Sequence, residues 1–136
     1  LAFIPQELQS APSQAVIPIA EASIVIEEKI PEDIPEKVDY YADKYKVDRD
    51  LAHYIAKNES QYNPKAIGDM SITCKRTGSP VRARGVYQIT ECFYPEISDA
   101  EAFDADSNIK IAMQIIAKGK STCMSQFTTC RNYYSK

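Results

Sequence analysis

Glu59 is the residue whose type and setting point first to proton chemistry. Leu51 and Ile55 lie eight and four positions before it, so on a helix its carboxyl projects along the same apolar face. Partly apolar surroundings raise a carboxyl pKa above its usual value of about 4.3 and keep the group protonated nearer neutrality, as a general acid requires. Periodicity alone, however, fits a helix-end glutamate that snorkels to solvent better than a buried acid. The other reactive side chains are Cys74, Cys92, Cys123 and Cys130, together with the single histidine, His53. No C-x-x-C pair occurs, so a zinc site would need all four thiolates at an unusual spacing, and no metal is expected. Two disulfides fit better and imply an oxidising compartment. Of the three pairings, Cys74 with Cys92 and Cys123 with Cys130 is preferred because each closes a local loop; four reduced structural thiols are the alternative. Lys75, Arg76, Arg82 and Arg84 fall within ten residues, which suits either a solvated loop or a ligand-facing wall.

The elements that must position these groups follow from hydrophobic spacing. Val38, Tyr41, Ala42 and Tyr45 recur at intervals of three and four, predicting an amphipathic helix over 36–45. Asp48 is a good N-cap for a second helix starting near Arg49, whose inner face carries Leu51, Ala52, Ile55, Ala56 and Glu59. Asn63-Pro64 ends it, because the residue before proline avoids the helical region. Residues 61–106 are rich in turn formers and predict loops with short helical or strand pieces. A third helix, 107–118, is expected behind an Asp104 or Asp106 cap, with Gly119 as its stop. Its stripe of Ile109, Ala112, Met113 and Ile116 is widened by Ile111 and Ile115, so this helix belongs at the centre of the domain. The predicted fold is mainly α.

The 136 residues fit one domain plus some extra chain, and 44% hydrophobic with 26% charged is an ordinary globular profile. Five of the eight prolines lie in residues 1–35, which denies that segment long helices and inner strands. Residues 1–36 carry seven acids and one base, a net −6, and read as an acidic linker or arm. Ile17, Ile19, Ile24, Val25 and Ile26 could still dock as a strand. Residues 37–136 hold 15 bases and 12 acids, a net +3 that mildly favours an anionic polymer. The most apolar run, 15–26, is broken by Pro18 and Glu21 and lacks the features of a signal peptide. The chain begins at Leu1 rather than Met, which suggests an upstream signal peptide or anchor. An anchor of that kind is the only membrane connection expected.

Glu59-Ser60-x-Tyr62-Asn63-Pro64-x-Ala66 is followed by Gly85-Val86-Tyr87-Gln88-Ile89, then Phe103-Asp104 and Asn108-Ile109. This order resembles the lysozyme-like lytic transglycosylases of the SLT type and their relatives, the goose-type lysozymes. The resemblance covers about residues 37–118. It implies a lysozyme-like α+β domain with a core helix, preceded here by the proline-rich arm. It also implies cleavage of the β-1,4 bond between N-acetylmuramate and N-acetylglucosamine in peptidoglycan, outside the cytoplasm, by a cofactor-free monomer with no nucleic-acid partner.

The same resemblance assigns roles. Glu59 matches the family's single catalytic acid and base. Ser60 matches a serine near the sugar or the acid, and Gln88 matches a glutamine that binds saccharide through an amide able to donate and accept. Tyr87 stands where Met is frequent, so it is expected either as an aromatic platform for a sugar ring or as packing. Asn108 matches an asparagine facing the cleft, with a capping role as the alternative. Two departures stand out. The segment between Ala66 and Gly85 is longer, basic and cysteine-containing, and the later Y-N-x-G motif is absent in that form. Tyr133 or Tyr134 is left to supply a tyrosine near the acid. The implied chemistry is non-hydrolytic, with Glu59 as acid and then base and a 1,6-anhydromuramyl product. Hydrolysis, with Asp69 holding a water, is one rival; an inactive peptidoglycan-binding module is the other.

Overall fold

The computed structural model describes residues 27–136; the arm's apolar stretch, including the strand expected from Ile17 to Ile26, lies outside the described residues. The order of elements is α1 (Ile34–Lys44), α2 (Arg49–Ser60), β1 (Ile67–Gly68), β2 (Ala83–Arg84), β3 (Ile89–Thr90), α3 (Asp99–Ala102), α4 (Ala105–Ile116), α5 (Lys120–Gln126) and α6 (Thr128–Tyr134). The fold is mainly helical with one small antiparallel sheet, as the sequence predicts.

Each predicted helix forms where its cap permits. The Asp33 carboxylate accepts the Glu36 amide and starts α1 inside the segment read as arm. Pro35 falls in the first turn, where its missing N–H leaves no helical bond unmade. Asp48 caps α2 by accepting Leu51 N–H, and Asp104, not Asp106, caps α4 by accepting Ser107 N–H. Asp106 is used otherwise: it takes the Lys37 ammonium at 3.0 Å and the Tyr41 hydroxyl at 3.0 Å, tying α1 to α4.

α4 carries the core as expected, with Ile109, Ala112 and Met113 fully buried. It packs against α1, α3 and α5, while α2 packs against α1 and α6. Val38, Ala42, Leu51, Ala52, Ile55 and Ala56 fill the space between the first two helices. Burying such side chains contributes roughly 1.5–3 kcal/mol each for the larger ones.

The sheet pairs β1 with β2 and β2 with β3, with Ile67 opposite Arg84 and Arg84 opposite Ile89. Cys74–Cys92 and Cys123–Cys130 are both disulfides, the pairing chosen from loop length. The first fastens the long segment after β1 to the end of β3; the second joins α5 to α6. Among the described residues no helix is long and apolar enough to cross a membrane.

Candidate active site

Glu59 occupies the last turn of α2, where the buried face carried by Ile55 and Ala56 meets the surface. Its carboxyl is largely desolvated, and that burial pushes its pKa up. The nearby charge of Asp69 pushes in the same direction. A hydrogen bond opposes both: the Thr129 hydroxyl donates to Glu59 Oε2 at 2.7 Å and favours the carboxylate. Glu59 therefore does not snorkel free into solvent. It is an acid held in one orientation at the edge of the surface, its pKa raised from the ordinary value.

The chain leaves α2 in a strained path. Gln61 and Tyr62 have φ of 54° and 62°, a left-handed region that costs non-glycine residues of order 1–3 kcal/mol each. Local bonds hold it. Gln61 N–H reaches back to Lys57 O, Asn63 Oδ1 accepts Lys65 N–H at 2.9 Å, and the Tyr62 hydroxyl meets His53 Nδ1 at 2.9 Å. His53 Nε2 in turn meets Asp39 Oδ1 at 2.7 Å, so α1 braces the turn through α2. Asp69 and Gln88 also adopt positive φ, which concentrates backbone strain around the acid.

The Gly85–Gln88 strip serves mostly to build the site. Gly85 has φ of +78°, and a Cβ there would strike Ala102 O and the Asn108 side chain. Only glycine lets the strip lie this close to α3 and α4. Ser60 Oγ donates to Val86 O at 2.7 Å and accepts Asn63 N–H at 3.1 Å, so its hydroxyl joins the two motifs.

Tyr87 is fully buried, its hydroxyl donating to Ala52 O at 2.7 Å and its ring against Phe127. In this structure the ring is part of the core packing. Asn108 is also fully buried and does not face the cleft. Its Oδ1 accepts Tyr87 N–H at 2.9 Å, and its Nδ2 donates to Arg84 O and Ala102 O. The reason in both cases is the same: the strip lies against the core, and its backbone groups need internal partners.

Gln88 alone among these polar candidates borders a sizeable cavity. Its Nε2 donates to Gly85 O at 3.0 Å and Ala66 O at 3.2 Å, which turns the amide along β1. The cavity, about 720 Å³, is lined by Asp69, Gln88, Phe93 and Thr128 among others. Glu59 does not line it, but opens on a shallower recess formed by Lys57, Asn58, Ser60 and Gln61. The two hollows neighbour each other at Asp69, whose charge acts on Glu59, and at Thr128, adjacent to Thr129.

The expected tyrosine does not reach the acid through Tyr133. α6 runs antiparallel to α2, so Tyr133 lies at the opposite end, against Tyr54 and with its hydroxyl 3.3 Å from Asp48. Tyr134 packs on Tyr133 and under the Lys120 ammonium, half exposed. Thr129, a residue the motifs do not flag, supplies the hydroxyl instead. The basic stretch divides as well: Arg84 is buried and bonds Ile89 O, Ile97 O and Asp99, while Arg82 grips Asp99 through two bonds of 2.8 and 2.9 Å. Those two cations are structural, and only Lys75 and Arg76 line the cavity.

Comparison with known proteins bears directly on this arrangement. Searches of curated proteins and of solved structures returned no match. The family model for the transglycosylase SLT domain matches residues 36–133, spanning every element from α1 nearly to the end of α6 and including both Glu59 and Thr129. The chain therefore belongs to the transglycosylase SLT domain family, the lytic transglycosylases that cleave glycosidic bonds in peptidoglycan.

Proposed function

We propose that this enzyme cleaves the bond between N-acetylmuramate and N-acetylglucosamine without water, using Glu59 first as acid and then as base. The observation that carries this is the Glu59 carboxyl, its pKa raised by burial and its orientation held by Thr129. Protonated Glu59 gives its proton to the glycosidic oxygen as the C1–O bond breaks. The acetamido oxygen of the muramoyl unit supports the electron-poor C1. The Glu59 carboxylate then removes the proton from the C6 hydroxyl, whose oxygen bonds to C1 and releases the acetamido group. The proton is back on Glu59, and the product ends in a 1,6-anhydro ring. Loss of charge on burial favours the acid half of this cycle, and the Thr129 hydrogen bond favours the carboxylate half. Substrate contact falls to Gln88 at the cavity wall, with Ser60, Tyr87 and Asn108 acting as supports; Tyr134, expected at the acid, packs instead on Tyr133 at the far end of α6.

A hydrolytic second reading rests on Asp69, whose charge acts on Glu59 and which could hold a water beside it. Product mass separates the two, because the anhydro end is one water lighter. Digestion of purified sacculi with mass analysis of the soluble muropeptides is the test. Products carrying the extra water would overturn the non-hydrolytic route, and no release that depends on Glu59 would leave only a binding module. Peptidoglycan as substrate, together with two disulfides, fits action outside the cytoplasm, in the envelope or secreted. A monomer suffices for this chemistry, since one chain supplies both Glu59 and Thr129.

A further inference from the structure

The long segment between β1 and β2 forms one wall of the cavity beside Glu59, hooped by Cys74–Cys92. Its lining has two unlike parts. Ile72 and Phe93 are large apolar side chains left 53% and 70% exposed, an apolar ledge along the cavity. Lys75 and Arg76 bring two positive charges to the same wall. Among the described residues neither forms an ion pair, whereas Arg82 and Arg84 of the same stretch both pair with Asp99 and Arg82 also approaches Glu91. Arg76 donates to Cys92 O and is fixed in place; Lys75 is exposed and has no hydrogen-bond partner among the described residues.

The glycan backbone is a poor match for this wall. N-acetylhexosamine rings are uncharged and densely hydroxylated, and they call for amide and hydroxyl partners of the kind Gln88 offers. Uncompensated cations beside an apolar ledge select an anion with hydrocarbon next to it. In peptidoglycan the anionic groups sit on the muramoyl substituent. Its peptide stem combines carboxylates with small apolar side chains. A stem leaving the ring bound next to Glu59 would enter this cavity, whose volume lies within the usual range of about 300–1,000 Å³ for ligand sites.

From this we infer that the disulfide-hooped wall is a peptide-stem site, in which Lys75 meets a stem carboxylate and Phe93 with Ile72 covers the adjacent apolar groups. The inference rests on the proposed function, because it assumes that the glycan lies against Glu59. It makes the enzyme selective for strands that still carry their peptides.

Two measurements test it. The first compares kcat/KM on stem-bearing strands with that on strands stripped by an amidase, which keep only the lactyl carboxylate. The wild type should favour stem-bearing strands by about two- to fivefold, the factor one partly exposed charge pair supplies. Lys75→Glu should abolish that preference by losing rate on stem-bearing strands only, and Phe93→Ala should reduce it. Raised salt should weaken the preference in the wild type. Equal rates on both substrates, or a Lys75→Glu loss shared by both, would overturn the inference. A preference for stripped strands would move the contact to the lactyl carboxylate and also overturn it. The second measurement is titration calorimetry of Glu59→Gln with soluble muropeptides with and without stems. It reads selectivity in binding, so the stem site is judged even if no strand is cleaved.

Discussion

Asn108 bonds three buried backbone groups of β2, the strip and α3, and replacing it tests whether the site is built from the inside. Asn108→Ala would leave Tyr87 N–H, Arg84 O and Ala102 O without the bonds of 2.9, 3.0 and 2.7 Å they now make. A buried polar group left unpaired costs about 1–3 kcal/mol, and some of that is recovered by relaxation, so the sum is about 3–5 kcal/mol. For a domain of this size each kcal/mol moves the melting midpoint by about 4 °C, so the variant should melt roughly 12–20 °C lower. Calorimetric melting gives the midpoint, and turnover well below it gives activity per folded molecule. Stability should fall far more than that activity does. A variant that melts within a few degrees of the wild type but loses saccharide binding would refute this reasoning. Asn108 would then belong to the cleft after all.

Three further outcomes are expected. Glu59→Gln should lower turnover by at least about 10³-fold, since one residue serves as both acid and base. Its midpoint should rise at neutral pH, because a neutral amide escapes the desolvation that raises the carboxyl pKa; an active variant would move catalysis to another group. Thr129→Val removes the bond that favours the carboxylate, so Glu59 should keep its proton to higher pH and the alkaline limb of kcat/KM should shift upward. An unmoved limb would separate Thr129 from catalysis. Arg82 and then Arg84 hold the Asp99 carboxyl down at about 2, below an unfolded value of about 3.9. The stability this gives is present above about pH 4 and is lost as pH falls from there toward 2. Melting midpoints across that window should fall less steeply for Asp99→Asn, and parallel curves would refute the assignment.

The sequence makes the long helices legible because each completes three turns with a clear apolar stripe and an aspartate cap. The two last helices escape it: seven residues each give too little periodicity, and their inward positions are cysteines and Phe127 rather than a repeating aliphatic pattern. Two-residue strands carry no alternation at all. At the site, Glu59 and its motif partners are visible in order, but order does not say which neighbour a polar atom meets. Asn108 offered a clue, since it precedes Ala112 by four positions and Ile115 by seven and so shares the buried stripe. Ser60 and Gln88 gave none, because their partners are backbone carbonyls brought near by the turns after α2 and β2. Thr129 had no motif around it. Its part depends on α6 lying antiparallel on α2, a relation between distant segments.

That relation also fixes when the enzyme becomes complete. Glu59 and the hydroxyl that orients it are separated by 70 residues, and the later one lies in the last helix. A chain made from its N-terminus exposes both recognition motifs, Glu59–Ala66 and Gly85–Ile89, well before Thr129 exists. Until α6 docks, the acid lacks both its hydrogen bond and one wall of its surroundings. A fragment ending at Gln126 would still read as a family member while lacking the finished acid.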